Sequence, residues 1–387
     1  MYHSRWKGSH YAAGLNYGRI LHKNGINPME GISVSSERME FSKACEPIYQ
    51  KYYPEILDEI RGMADGLGID ADVMAGFLWT MYGFVFDNKC SCLAVNANGC
   101  TYFARNSDFL VSVEKLCDSA LYRLDHAHAF VGNTTAWTEM EDGVNEYGLA
   151  CGLTFIYPVK VRPGFNAGML VRYILEKCRT TAEAIEALKR LPIGTPQTIT
   201  LADRKGDIAV VECNCDRLVV RRPQAGAQFV CATNHFISSD MQQFQYDGVD
   251  DVHSHERYEV MGKALAGGSV DLNYIQQLLA GKFGFMCQYV RKQGLDTVWS
   301  TIYRLAENAS DGAAVDGCRT NGCLEGGWAA NCPAGNGCPN GGCAADGPAG
   351  NDCSTDGCAD LILRAEGNPS RNQWKVDQRL KFVKNIR

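Results

Sequence analysis

Apolar residues recur at helical spacing through most of the first 89 positions. YAAGLNYGRILHKNG, 11–25, carries one apolar stripe and ends at a glycine, and KACEPIYQKYYPEILDEIRGMADGLG, 43–68, continues the same period. Asp70 stands where an N-cap belongs, just ahead of ADVMAGFLWTMYGF, 71–84. At Cys90 the period shortens to two. CLAVNANGCTYFARN, 92–106, reads as a hairpin turned at Asn98-Gly99, a dipeptide that supplies the positive backbone angles of a tight turn.

More strand-like segments follow: SALYRL, HAFVGN, YGLACGLTF, QTITLADRKGDIAVVEC and RLVVRR, with turns at Asp203 to Gly206 and at Asp216. Between them NAGMLVRYILEKC and TTAEAIEALKRL read as amphipathic helices, the second capped by Thr180 or Thr181. HSHERYEVMGKALAG and LNYIQQLLAG add a later helical part, and TVWSTIYRLAEN with DLILRAEG reads as a closing strand pair. Strand runs, a helix pair and further strand runs predict an α+β protein in layers, without alternating βαβ units.

The closing strands are separated by a different kind of sequence. From Asp316 to Asp360 the chain falls into nine pentads that begin with Asp, Asn or Gly, and six of them carry cysteine in the third place. Residues 316–360 lack the aliphatic side chains that build a core, so they are expected to hang from a loop as an insert, outside the site. Three readings fit them: a loop expanded by repeat duplication, a metal-binding or thiol-rich module, and a small cysteine-centred solenoid.

Composition narrows the function classes. The net charge of -6 owes much to the insert, which holds six acids and one arginine, so the rest of the chain offers no electrostatic case for nucleic acid or an anionic membrane. MYHSRWKGSHYAAG lacks the apolar core of a secretory signal, and the apolar run at 73–86 is too short to cross a bilayer. The expectation is a cytoplasmic protein whose eighteen cysteines are free thiols or metal ligands.

Cys90 is the candidate nucleophile. A nucleophilic cysteine needs a base, a positioned cation or donor, and an oxyanion hole. A papain-like site would place the cysteine at the start of a helix, whereas the residues after Cys90 read as a strand. That arrangement suits a chain cut between Lys89 and Cys90, with the new α-amino group as base; its reference pKa of about 7.7–8.0 leaves a useful neutral fraction near pH 7. The Asn98-Gly99 hairpin brings Arg105 and Asp108 back toward Cys90, the arginine to favour the thiolate and the aspartate to hold the amine. Cys92 lies on the same strand face and is read as packing.

Cys90-Ser91, the hairpin and Arg105-Asn106-x-Asp108 together resemble the signature of N-terminal nucleophile amide hydrolases of the choloylglycine hydrolase and penicillin V acylase group. The first 89 residues, with GSHYAAGLNYGRIL, look more like the branch of acyl-coenzyme A:6-aminopenicillanic acid acyltransferase, whose precursors cut themselves before the cysteine. The resemblance covers about 1–310 and resumes at 359–387; the pentads have no place in it. It implies a four-layer αββα sandwich, with 1–89 as a helical, propeptide-like segment and 90–310 plus 359–387 as the catalytic domain.

The resemblance also implies roles. DGVNEYGLACGLTF makes the Thr154 N–H one oxyanion donor, ATNHF makes the Asn234 side chain the second, and HSHERYEV supplies a second active-site arginine, Arg257. EGNPS, 366–370, is similar to the closing strand and loop. Asn145 either lines the substrate pocket or closes the turn before Gly148, and His235 is read as structural. The implied activity is hydrolysis or transfer of an acyl group from a small-molecule amide or thioester through S-acyl Cys90, to water or an amine acceptor. A bile-salt or N-acyl-amino-acid amidase is the alternative within enzymes, and a catalytically silent scaffold with a metal-binding cysteine array is the alternative outside them. No cofactor or active-site metal is implied, since nucleophile and base both come from the chain. The expected partners are the acyl donor, the amine and the cleaved 1–89 segment.

Overall fold

The computed structural model describes residues 1–26, 34–84, 89–248, 252–306 and 360–383; the pentad insert lies outside them. A short strand, β1 (Arg5–Gly8), opens the chain, and the Ser9 hydroxyl then caps α1 (His10–Lys23) by accepting from Ala12 N–H. The apolar period at 43–68 is two helices. α2 (Ser36–Tyr52) stops at Tyr53 because Pro54 has no N–H to continue the ladder, and α3 (Pro54–Leu67) starts on that proline and ends at Gly68, φ 72°. Asp70 caps α4 (Ala71–Trp79), accepting from Asp72 N–H and Val73 N–H.

α1 and α3 cross in near backbone contact. A Cβ built on Gly14 would stand 2.0 Å from Glu59 O, and one on Gly18 2.2 Å from Met63 O. On the facing helix, Gly62 and Gly66 approach Tyr11 O and Leu15 O equally closely, at 2.2 and 2.4 Å. Four glycines therefore set the helix separation, and a methyl group there has no side chain to displace.

The hairpin of β2 (Lys89–Ala97) and β3 (Cys100–Leu110) turns at Asn98, φ 53°, and Gly99, φ 72°. It sits in a six-stranded antiparallel sheet completed by β11 (Phe229–Ala232), β12 (Leu295–Ala306), β13 (Leu361–Glu366) and β14 (Trp374–Val376), in the order β11-β2-β3-β12-β13-β14. β12 and β13 pair as expected, with Arg304 opposite Leu361.

The second sheet has eight strands. It takes β4 (Asp118–Leu124), β5 (Phe130–Thr134), β6 (Asp142–Asn145), β7 (Ala150–Phe155), β8 (Gln197–Ala202), β9 (Ile208–Cys213) and β10 (Leu218–Arg221) in sequential order, with β1 added parallel to β4 at the edge. Its last four strands follow α5 (Ala167–Lys177) and α6 (Thr181–Arg190) except β7, which precedes them; Thr180 caps α6.

Phe103, Cys92 and Ala94 of the first sheet meet Val131, Val144, Ala150 and Val210 of the second in a core between the sheets. α1 to α6 cover the outer face of the eight-stranded sheet, while α7 (Ser254–Gly267) and α8 (Leu272–Leu279) cover that of the six-stranded one. The result is the α+β class in the expected four-layer αββα order. Sequence reading missed three short strands, β1, β11 and β14, too brief to show a period; β1 means that 1–89 is woven into a sheet and is not purely helical. Among the described residues ten cysteines are free thiols, and Cys100 departs from the expectation in being disulfide-bonded.

Gly18→Ala and Gly62→Ala should each destabilise the protein by about 2–3 kcal/mol. Gly262→Ala, on α7 with nothing near its Cβ position, should be neutral or stabilise by up to about 1 kcal/mol. Urea unfolding of the three variants beside wild type measures the contrast.

Candidate active site

Alternation along β2 points Cys90 and Cys92 to the same side, toward the facing sheet, and β3 places Arg105 opposite Cys92 and Asp108 opposite Lys89. From that position the Arg105 guanidinium reaches diagonally to Cys90, Nη2 lying 2.7 Å from Sγ. Its other donors are fixed. Nη1 bonds Asp142 Oδ2 at 3.0 Å, Nη2 also bonds Glu141 Oε2 at 3.1 Å, and Nε bonds Leu153 O at 3.1 Å. Arg105, Glu141 and Asp142 are completely buried, so the ion pairs are unscreened by water and the fork has little freedom to turn.

The two carboxylates are themselves held. Glu141 accepts from Ser107 Oγ and Thr135 Oγ1, and Asp142 accepts from Asn133 Nδ2, Trp299 Nε1, Thr301 Oγ1 and Tyr303 OH. Sequence reading missed this support. The consecutive acids Glu141-Asp142 just before β6's Gly143 were the available signal, but an acidic pair is ordinarily a solvated turn. Glu139, two residues earlier, is buried with Oε2 unpartnered and Oε1 accepting from Asn166 Nδ2; burial pushes its carboxyl well above the usual range, toward the neutral acid.

A second arginine lies on the other side of Cys90. Arg257, on α7 and also fully buried, donates from Nη1 to Cys90 O at 2.6 Å and to Ser91 Oγ at 2.8 Å, and from Nη2 to Asn234 Oδ1 at 2.8 Å. Asn234 Oδ1 also accepts Cys90 N–H, at 3.1 Å, and one amide hydrogen of Asn234 goes to Phe155 O at 2.8 Å. Asp108 is linked to this group by Arg257 Nη1 at 3.8 Å and takes hydrogen bonds from Thr297 Oγ1 and Tyr289 OH. Cys90, Arg105, Asp108, Asn234 and Arg257 therefore form one buried cluster.

Two expected roles change. Asn145 does not face this cluster with a free group: Nδ2 donates to Leu175 O and Cys178 O, and Oδ1 accepts Tyr147 N–H and Leu149 N–H. Its side chain is saturated by backbone and closes the turn before Gly148, so it has nothing left for a substrate. Thr154 is the second. Leu153 N–H bonds Glu141 O while Leu153 O and Phe155 O accept from Arg105 and Asn234, so alternation turns the Thr154 N–H to the opposite edge of β7, toward Thr198 on β8. Its hydroxyl is also engaged, with Thr233 O and Thr198 Oγ1. The N–H on the open edge beside Asn234 is that of Phe155.

His235 keeps its structural reading, its Nδ1 lying 2.7 Å from Ser254 Oγ and 3.2 Å from Thr233 Oγ1. Burial pushes the Cys90 thiol up to about 12, against the opposing pull of Arg105. In the uncut chain the thiol is thus neutral near pH 7. Burial likewise raises the Asp108 carboxyl to about 6, though Arg257, Thr297 and Tyr289 all favour its charged form.

A buried cysteine at the head of a strand, gripped by a carboxylate-anchored arginine between two sheets, is the centre of the candidate site in this layered α+β protein. The chain belongs to the acyl-coenzyme A:6-aminopenicillanic acid acyl-transferase family, whose sequence profile matches residues 95–313. The matched span contains Arg105, Asp108, Asn234 and Arg257 and begins five residues after Cys90. Membership supports an enzyme of the acyl-transferase kind.

No match was found among curated proteins. Among solved structures, the Caenorhabditis elegans ortholog of N-acylethanolamine-hydrolyzing acid amidase is similar at 19% identity and TM-score 0.42, over 55% of this chain and 92% of that one. A variant of conjugated bile acid hydrolase from Clostridium perfringens is similar at 14% identity and TM-score 0.41, over 77% and 99%. Penicillin V acylase from Agrobacterium tumefaciens is similar at 13% identity and TM-score 0.39, over 76% and 99%. Among the described residues no helix is long and apolar enough to cross a membrane.

The Asp108 carboxyl gives a pH prediction. Its folded value, about 6, lies above the unfolded value of about 3.9, so the folded state holds the proton more tightly; the stability this contributes is full below about pH 4 and lost as pH rises through 6. On an uncut Cys90→Ala background, adding Asp108→Asn should therefore shift relative stability in favour of the double variant by up to about 3 kcal/mol between pH 4 and 7. Urea midpoints at pH 4, 5, 6 and 7 measure it; a pH-independent difference would remove Asp108 as the titrating group.

Proposed function

We propose that the chain is a self-processing cysteine enzyme that cuts its own Lys89–Cys90 bond and then cleaves or transfers an acyl group from a non-peptide amide or thioester through S-acyl Cys90. The observation that carries this reading is the placement of Arg105 Nη2 at 2.7 Å from Cys90 Sγ while Asn234 and Arg257 grip the backbone of the same residue. Those contacts hold a peptide bond and its neighbouring thiol in fixed relation, which is what an intramolecular acyl shift requires.

In processing, Sγ bonds to the Lys89 carbonyl carbon, the thiol proton passes to the Cys90 nitrogen and the C–N bond breaks. Water then attacks the thioester carbon and the C–S bond breaks, leaving a carboxylate on Lys89, and a free amine and thiol on Cys90. In turnover that amine takes the thiol proton and returns it to the leaving group. The second amide hydrogen of Asn234 and the Phe155 N–H are the donors we assign to the oxyanion, and Asp108 the carboxylate we assign to the new ammonium. Family membership supports an amine acceptor beside water. A reducing, cytoplasmic setting belongs to the proposal, because the exposed thiol must stay unoxidised to act.

Intact mass of freshly purified wild type should show segments of 89 and 298 residues, and Cys90→Ala a single uncut chain. Arg105→Ala should slow processing by about a hundredfold. A wild-type chain that stays whole after long incubation would sink the reading. Deleting 316–358 should leave processing within about threefold of wild type, a change of about 0.7 kcal/mol in barrier; loss of processing would instead place the pentads in the active unit and favour a scaffold built around them.

A further inference from the structure

Lys89 is a lysine with 1% of its surface exposed, on the acyl side of the bond assigned to self-cleavage. Lysines are almost never fully buried without a purpose-made environment, and this one has aromatic walls. Nζ donates to Tyr157 OH at 2.6 Å and stands 3.9 Å from the Tyr157 ring centre and 5.8 Å from that of Phe155, both within cation–π range. The rings support one another: Tyr157 lies 5.4 Å from Phe155 and 5.1 Å from Tyr246, and Tyr82 lies 6.4 Å from Phe155. The box is also tied to the reacting centre, since Phe155 O accepts from the same Asn234 that holds Cys90 N–H.

In self-cleavage the acyl group carried by the thiol is a lysyl group, with its side chain in this box. The same thiol later attacks the substrate carbonyl from the same side, so the space of the Lys89 side chain is the space for the substrate's acyl chain. Once cut, Lys89 gains a carboxylate directly across the ladder from Asp108, and two like charges at that spacing repel, which favours its departure.

We propose that the mature enzyme uses the Phe155–Tyr157 box to select acyl groups that end in an ammonium at the reach of a lysine side chain, that is, lysyl or ω-aminoacyl amides and thioesters. This rests on the self-processing reading above. The step balances as before: Sγ–C forms, the amide C–N breaks and the thiol proton goes to the leaving amine through the α-amino group, then water adds to carbon, C–S breaks and the thiol regains its proton.

The test compares three p-nitroanilides on processed wild type: 6-aminohexanoyl, whose ammonium matches the lysine reach; heptanoyl, the neutral isostere; and 6-acetamidohexanoyl, which keeps the nitrogen without its charge. The 6-aminohexanoyl compound should lead both others by about tenfold or more in kcat/KM, equivalent to about 1.4 kcal/mol. Tyr157→Leu should bring the three near parity, whatever its effect on overall turnover; if that variant fails to process, the wild-type ranking decides alone. Equal or better turnover of heptanoyl, or a processed enzyme that neither consumes nor is acylated by the 6-aminohexanoyl compound while accepting a neutral acyl thioester, overturns the selectivity and leaves self-processing standing. An uncut wild-type chain overturns both.

Discussion

Everything at this site depends on keeping one guanidinium charged and still in the dry space between two sheets. Arg105 cannot lose its proton at any ordinary pH, and a lone cation without water there would be prohibitively costly. Glu141, Asp142 and the Leu153 carbonyl remove that penalty, and the hydroxyl, amide and indole donors around the two carboxylates remove theirs. The network extends from β3 to β6, β7 and β12, so the strands that build the sandwich also aim the donor at Cys90. A change at Asp142 would therefore disturb the geometry around Cys90 and the fold together, and the two are hard to separate by removing single charges.

The same logic governs the N-terminal segment. Arg172 of α5 forms a two-pronged pair with Glu59 of α3 and bonds Glu176, which in turn takes a hydrogen bond from His10 of α1; all are buried. With β1 paired to β4 and the glycine-spaced α1 and α3 laid on the sheet, a chain cut at Lys89 loses one covalent link and none of these contacts. If the proposed cut is made, such a segment stays in place as a second subunit. The carboxylate–imidazole group of His10, Glu59 and Glu176 has the look of a ligand set, yet Arg172 already occupies its charge, so its role is to join the two parts.

What the sequence made legible follows from how local each signal is. The hairpin at Asn98-Gly99, the caps at Asp70 and Thr180 and the α+β class could be read because turn chemistry, capping and period act over a few residues, whereas the four-layer order was implied by the family resemblance alone. Arg105 and Asp108 were legible because a hairpin fixes where β3 returns. Glu141, Asp142 and the open edge at Phe155 were not, because they depend on how the second sheet lies over the first. The Thr154 assignment failed by one position for the same reason: carbonyl and amide groups alternate between the two edges of a strand, and which edge faces the neighbouring strand is settled by register, where a slip of one residue exchanges the two edges. Of the two readings of Asn145 the turn one holds and the pocket one falls, since its side chain bonds backbone around the glycine turn.

The neutral state of Cys90 in the uncut chain then has a physical reason. Arg105 at 2.7 Å pulls its acidity down, but complete burial outweighs the arginine and leaves the thiol near 12. An intramolecular attack needs no free thiolate in advance; it needs the thiol, its neighbouring carbonyl and a proton acceptor held in place, and geometry substitutes for acidity. Turnover on a free substrate has no such advantage and needs the thiol to ionise at the moment of attack. The proposed break before Cys90 would supply that in a single event, since it would create a titratable amine on the nucleophile's own residue and open the space that Lys89 fills to water and substrate. On that proposal, burial would silence the thiol before the cut and exposure would wake it afterwards, both following from the same lysine being in place or gone.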